Sequence, residues 1–105
     1  MSYQKVGGVL VAQGKLQEAL DAYQQSLRIR QILAEQDKSN SGWQRDLILS
    51  LYRIGRTTAK MEAQDSLSQG KEFLRTALKL ADKYPGPNRQ QLIDVLNQTL
   101  QNLPH

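Results

Sequence analysis

The chain has 105 residues, of which 39% are hydrophobic and 23% are charged, a composition typical of a single globular domain. It has no cysteine, and its one histidine is the last residue, His105. Disulfide scaffolds, thiol catalysis, iron–sulfur clusters and histidine relays are therefore excluded. The formal net charge is +4, and no apolar run approaches the roughly 20 residues that a membrane-spanning helix needs. We expect a cytoplasmic protein with no metal, no cofactor and no membrane partner.

Apolar residues recur at helical spacing along the whole chain, and no segment shows the alternation typical of a strand. The pattern is clear in the middle of the chain, where Trp43, Leu47, Leu51 and Ile54 share one helix face, so we expect Trp43 to be a packing residue. The spacing predicts five helices, near residues 2–12, 15–37, 41–61, 66–84 and 88–103.

Polar residues and prolines mark the expected ends of these helices. Ser41, Ser66 and Asn88 each precede a glutamine by three residues, which predicts a capping box at the start of the last three helices. The Pro-Gly-Pro sequence at residues 85–87 cannot continue a helix, because proline has no amide hydrogen and restricts the residue before it.

The chain also repeats itself weakly. A shift of 48 positions aligns residues 2–7 with 50–55, and a shift of 51 aligns 16–29 with 67–80, the difference being a longer turn at 62–65 in the second unit. The repeating unit is therefore a helical hairpin that occurs twice and is followed by one final helix.

The two hairpins carry a family pattern. The first reads Tyr3-x-x-Val6-Gly7-x-x-Leu10, then Gly14 and Ala19-x-x-x-Tyr23; the second reads Leu51-x-x-Ile54-Gly55-x-x-Thr58, then Gly70-x-x-x-Leu74-x-x-Ala77-Leu78. Over residues 2–84 this pattern resembles the tetratricopeptide repeat (TPR), in particular the long-period arrays of bacterial proteins. Thr58 replaces a large residue of the family pattern, and Gly70 replaces its usual alanine.

The resemblance implies an all-α fold in which antiparallel helical hairpins stack in a right-handed superhelix. The expected single domain, 1–105, comprises a first hairpin at 1–37 with a truncated first helix, a second hairpin at 41–84 and a capping helix at 88–103. The first helix of the second hairpin has residues, 43–47, whose counterparts in the first hairpin would lie before Met1. We therefore expect the chain to be a fragment of a longer array. The open N-terminal end of such a fragment favours self-association.

Most of the charge excess lies in one helix. Residues 43–60 contain Arg45, Arg53, Arg56 and Lys60 against Asp46 alone, a local net charge of +3. In the family, the first helix of each hairpin lines a concave groove that binds peptides. The helical wheel and the resemblance together give these groove candidates: Gln4, Gly8, Val11, Arg45, Leu49, Tyr52, Arg56, Ala59 and Lys60.

We expect a non-catalytic scaffold for protein–protein interaction whose groove binds a peptide or protein segment, with an acidic segment favoured by the arginines. No catalytic residues are predicted, because the carboxylate pairs Glu18/Asp21 and Glu62/Asp65 have the spacing of solvated helix faces. The alternative is a nucleic-acid-binding module that uses the basic face of residues 45–60, ranked lower because Tyr52 is the only aromatic on it. The basic face could also be plain solvated surface.

Overall fold

The computed structural model describes residues 14–61 and 63–104, and within these ranges the regular structure is helical, with no strand. The helices are α1 (Leu16–Gln36), α2 (Ser41–Ala59), α3 (Ser66–Asp82) and α4 (Arg89–Asn102). The predicted all-α class is confirmed, and four of the five predicted helices lie within a few residues of their expected bounds. The predicted helix at 2–12 lies outside the described residues.

The start of α2 is held by a cap one residue earlier than predicted. The Asn40 side chain accepts a hydrogen bond from the Trp43 amide at 3.0 Å. The predicted box of Ser41 with Gln44 is wrong, because the Gln44 side chain donates instead to the Ala34 carbonyl near the end of α1, at 2.9 Å. Gln44 therefore ties the two helices together across their loop.

The starts of α3 and α4 also differ from the predicted capping boxes. The Ser66 hydroxyl donates to the carbonyls of Met61 and Ala63, at 2.6 and 2.8 Å, and so closes the loop between α2 and α3. Asn88 makes no side-chain cap. Asp65 and Asn88, each with a φ of 64°, turn the chain into the following helix in a left-handed conformation that Asp and Asn tolerate better than most residues.

Helices adjacent in the sequence are neighbours in space: α1 packs on α2, α2 on α3 and α3 on α4, with the largest contact between α2 and α3. The smallest extent of the molecule is 19 Å, close to two helix diameters of about 10 Å each. None of the helices among the described residues has the length and apolarity needed to cross a membrane.

Two glycines let α2 and α3 approach closely. A Cβ atom added to Gly70 would lie 2.6 Å from the Gly55 carbonyl oxygen, and one added to Gly55 would lie 2.9 Å from the Gly70 carbonyl oxygen. Neither distance leaves room for a methyl group. The glycine at position 70 therefore has a steric reason, since its neighbour across the contact is backbone rather than a movable side chain.

Two groups of buried side chains stabilise the packing. The larger group comprises Ile48 and Leu51 of α2, Leu74, Ala77 and Ala81 of α3, Tyr84, and Leu92 and Leu96 of α4. The smaller comprises Ala19, Leu20 and Tyr23 of α1 with Ile54 of α2. Trp43 is half-buried and belongs to neither group; it lies in the first turn of α2, ahead of the buried stretch that begins at Ile48.

The segment after α3 carries a core residue that the spacing did not single out. Tyr84 is 3% exposed, and its ring and hydroxyl lie against Gly86, where a Cβ atom would collide with them. The Pro-Gly-Pro turn thus ends α3 and leaves space for an aromatic ring beneath it. This turn sets the position from which α4 returns toward α2.

Candidate binding groove

A groove runs between α2 and α4, and we call it the α2–α4 groove. One wall consists of Arg45, Ile48, Leu49, Tyr52 and Arg56 from α2 and of Lys60, which directly follows α2. The facing wall consists of Gln91, Leu92, Val95, Leu96 and Thr99 from α4, with Asn88, Asn102 and Leu103 at the ends of α4. The helical period explains the α2 wall, since residues three or four apart share a face.

One half of the groove is an apolar cavity of about 190 Å³. Leu49 and Ile48 line it from α2, and Leu92, Val95 and Leu96 line it from α4. Ile48 and Leu96 are buried core residues, whereas Val95 is 45% exposed. An exposed valine beside a cavity with an aliphatic lining leaves apolar surface that a ligand side chain could cover.

The other half is cationic. Tyr52, Arg56 and Lys60 line a second cavity of about 320 Å³ together with Thr99, Asn102 and Leu103. The Arg56 guanidinium lies 5.2 Å from the centre of the Tyr52 ring, within the range of a cation–π contact. Its Nη1 also donates to the Tyr52 hydroxyl oxygen at 3.1 Å. Arg56 is therefore held in place by a residue that lines both cavities.

The basic side chains of the groove have no carboxylate partner among the residues that the structure describes. Asp46, the one acidic residue of α2, pairs with Arg30 of α1 at 3.1 Å. The other ion pair in residues 14–61 and 63–104 joins Glu72 and Arg75 on α3. The α4 side chains that line the groove are uncharged. The groove thus presents positive charge to a ligand.

The structure brings five of the groove candidates together on one wall: Arg45, Leu49, Tyr52, Arg56 and Lys60. Ala59 is a correction. Its Cβ lies 2.8 Å from the position that a Cβ on Gly70 would take, so it packs against α3 and lines neither cavity. Gln4, Gly8 and Val11 lie outside the described residues.

The groove candidates of the sequence analysis did not include the α4 wall. The spacing of Leu92, Leu96 and Leu100 predicts the helix, but the resemblance assigned it only a shielding role. Val95 and Thr99 continue the same side of α4 toward the groove. No signal in the sequence identifies these two residues, because the position of α4 beside α2 depends on the turn at residues 85–87 and on the packing of Tyr84.

The carboxylate pair on α1 has the surroundings of a solvated face. Glu18 and Asp21 are both exposed, and Asp21 accepts a hydrogen bond from the Gln17 side chain at 3.1 Å. Of the second pair, Asp65 is exposed and Glu62 lies outside the described residues.

Comparison of the chain with protein-family models, with curated proteins and with solved structures finds no match. The function of the α2–α4 groove is therefore inferred from its own residues.

Proposed function

We propose that this protein is a non-catalytic, tetratricopeptide-like interaction module that binds an acidic segment of another protein in the α2–α4 groove. The observation that carries the proposal is the groove's charge. Arg45, Arg56 and Lys60 line one continuous wall, and the facing wall of α4 has no acidic residue to neutralise them.

The packing supports the tetratricopeptide-like part of the proposal. α2 and α3 cross at Gly55 and Gly70, the two positions that correspond to small residues in the family pattern. α4 then lies beside α2 across the groove, as the first helix of a following hairpin would. A ligand between them would occupy the place of the family's concave surface.

The Arg56–Tyr52 pair suits recognition of a carboxylate. Arginine presents parallel N–H donors that match the two oxygens of an aspartate or glutamate, and such charged hydrogen bonds are about twice as strong as neutral ones. The Tyr52 hydroxyl accepts a hydrogen bond from Arg56, so its own proton is free to donate to the same acidic group. The cation–π contact keeps the guanidinium from swinging away into solvent.

Selection of random displayed heptapeptides on the immobilised protein tests this function. We expect the retained peptides to be enriched in Asp and Glu, and their affinity, measured by fluorescence polarisation, to fall by about ten-fold or more in Arg56→Glu, because attraction becomes repulsion. Arg28→Glu, at an exposed position on α1, is the matched control and should bind like wild type. Equal losses in both variants would indicate a diffuse charge effect, and no loss in either would place the site elsewhere.

The same cations favour nucleic-acid binding as the second candidate. Bases bind best where aromatic rings are open for stacking, and the groove's aromatic ring, Tyr52, already holds the Arg56 guanidinium. Titration with generic RNA and DNA at two salt concentrations separates the candidates, since phosphate binding weakens steeply with salt. Tight, salt-sensitive nucleic-acid binding with no acidic peptides selected would favour this second function.

A further inference from the structure

The two halves of the α2–α4 groove lie in line along α2. Arg45 and Lys60 are fifteen residues apart, a rise of about 22 Å along a helix. The apolar cavity lies between Arg45 and Tyr52, and the cationic cavity extends from Tyr52 to Lys60. A ligand that spans the groove therefore meets a cation, an apolar cavity and then two further cations, in that order.

The apolar cavity has the size and lining to hold an aromatic ring. A closed apolar cavity of about 150 Å³ is known to bind benzene, and the cavity here measures about 190 Å³ and is lined largely by aliphatic side chains. Ile48 and Leu96, 1% and 2% exposed, form part of its lining. A phenyl group placed there would also cover Val95, which is otherwise 45% exposed.

We infer that the groove recognises a short extended segment of another protein in which one phenylalanine is flanked on both sides by acidic residues. This rests on the proposed function and adds the aromatic residue and its position. A span of about 22 Å corresponds to about seven extended residues. The acidic residue on one side pairs with Arg45, the phenyl ring enters the apolar cavity, and the acidic residues on the other side reach Arg56 and Lys60.

The charge pattern favours a foreign segment over a second copy of this chain. Each copy carries a net charge of +4. The exposed isoleucines Ile29 and Ile32 of α1 have Arg28 and Glu35 beside them on the helix, whose charges cancel. The surface around Ile29 and Ile32 therefore lacks the negative charge that would complement the cations of the groove.

Fluorescence polarisation with three labelled heptapeptides tests the inference. The first is Asp-Ser-Phe-Ser-Ser-Asp-Glu, the second has the reverse order to cover the opposite chain direction, and the third has serine in place of phenylalanine. We expect the better phenylalanine peptide to bind about ten-fold more tightly than the serine peptide, the gain for burying one phenyl ring.

Two variants test whether the phenyl ring binds in the apolar cavity and whether the acidic residues bind at Arg56. Val95→Trp fills the apolar cavity from an exposed position, so the phenylalanine peptide should lose its advantage and bind no more tightly than the serine peptide does to the same variant. Arg56→Glu should weaken every peptide. Ile32→Trp, which places the same side chain at an exposed position on α1, is the control and should behave like wild type.

The outcomes separate this inference from the proposed function. Equal affinity for the phenylalanine and serine peptides would overturn the inference and leave an acidic-segment module standing. A phenylalanine advantage that survives Val95→Trp would overturn it as well, because the ring would then bind elsewhere. Failure of all three peptides to bind would overturn both. Self-association in sedimentation that Val95→Trp abolishes would show that a second copy occupies the groove and would overturn the inference of a foreign segment.

Discussion

Single residues decide how closely the central helices approach. Gly55 and Gly70 place the backbones of α2 and α3 in direct contact, and the side chain of Leu74, fully buried, fills the space beside them. Glycine inside a helix costs about 1 kcal/mol relative to alanine. At these two positions the close packing outweighs that cost, because any larger residue must push one backbone away from the other.

Gly70→Ala should therefore destabilise the protein by about 1–3 kcal/mol, the usual range for overpacking a core, despite the better helix propensity of alanine. The added methyl would lie 2.6 Å from a carbonyl oxygen and 2.8 Å from the Ala59 backbone nitrogen, and neither atom can move without its helix. Urea denaturation followed by circular dichroism measures the change.

Gly42→Ala is the matched control for this substitution. Gly42 lies in the first turn of α2 and is exposed, and an added Cβ would only reach ordinary contact with the Asn40 side chain, at 3.4 Å. Its stability should equal or slightly exceed that of wild type. If Gly70→Ala were as stable as Gly42→Ala, the close approach of α2 and α3 would be contradicted.

At the scale of the element, the groove depends on where α2 begins. Asn40 caps the helix and Gln44 fastens its first turn to the last turns of α1, so the register of the basic face is set at that loop. Within the loop, the Ser39 hydroxyl and then the Ser39 amide donate to Asp37, and these bonds hold the pKa of that carboxyl below its usual value.

Asn40→Ala should destabilise the protein by about 1 kcal/mol, the typical cost of losing a helix N-cap. The sequence pattern placed the cap at Ser41, so Ser41→Ala is the discriminating control and should cost much less. Thermal unfolding of both variants checks the assignment. A larger loss in Ser41→Ala than in Asn40→Ala would restore the original capping box and contradict the hydrogen bond to the Trp43 amide.

Helical spacing was sufficient to predict the elements, because apolar residues recur at intervals of three or four along each of the helices that the structure describes. It was less informative about caps, since a hydroxyl or amide at several neighbouring positions satisfies the same pattern. Helical spacing also does not predict how deeply each residue of an apolar face is buried. Trp43 shares one face of α2 with Leu51 and Ile54, but it lies at the end of the helix, where that face extends past the core.

At the scale of the whole molecule, one wall of the groove follows from the sequence of a single helix, whereas the other wall depends on how the helices pack. Arg45, Leu49, Tyr52, Arg56 and Lys60 could be placed together from the period of α2 alone. The facing wall could not, because it depends on where the Pro-Gly-Pro turn and the buried Tyr84 direct α4. Ala59 was misplaced for a similar reason: its neighbour Gly70 comes from another helix.

The central claim is that acidic segments bind between α2 and α4, and its most direct test is a chemical-shift map. ¹⁵N-labelled protein would be titrated with the acidic heptapeptide that contains serine in place of phenylalanine, since NMR detects weak binding. We predict shifts concentrated at Leu49, Tyr52 and Arg56 on α2 and at Val95 and Thr99 on α4, with the exposed face of α1 around Ile29 unchanged. Shifts centred on α1, or none at all at millimolar peptide, would contradict the claim.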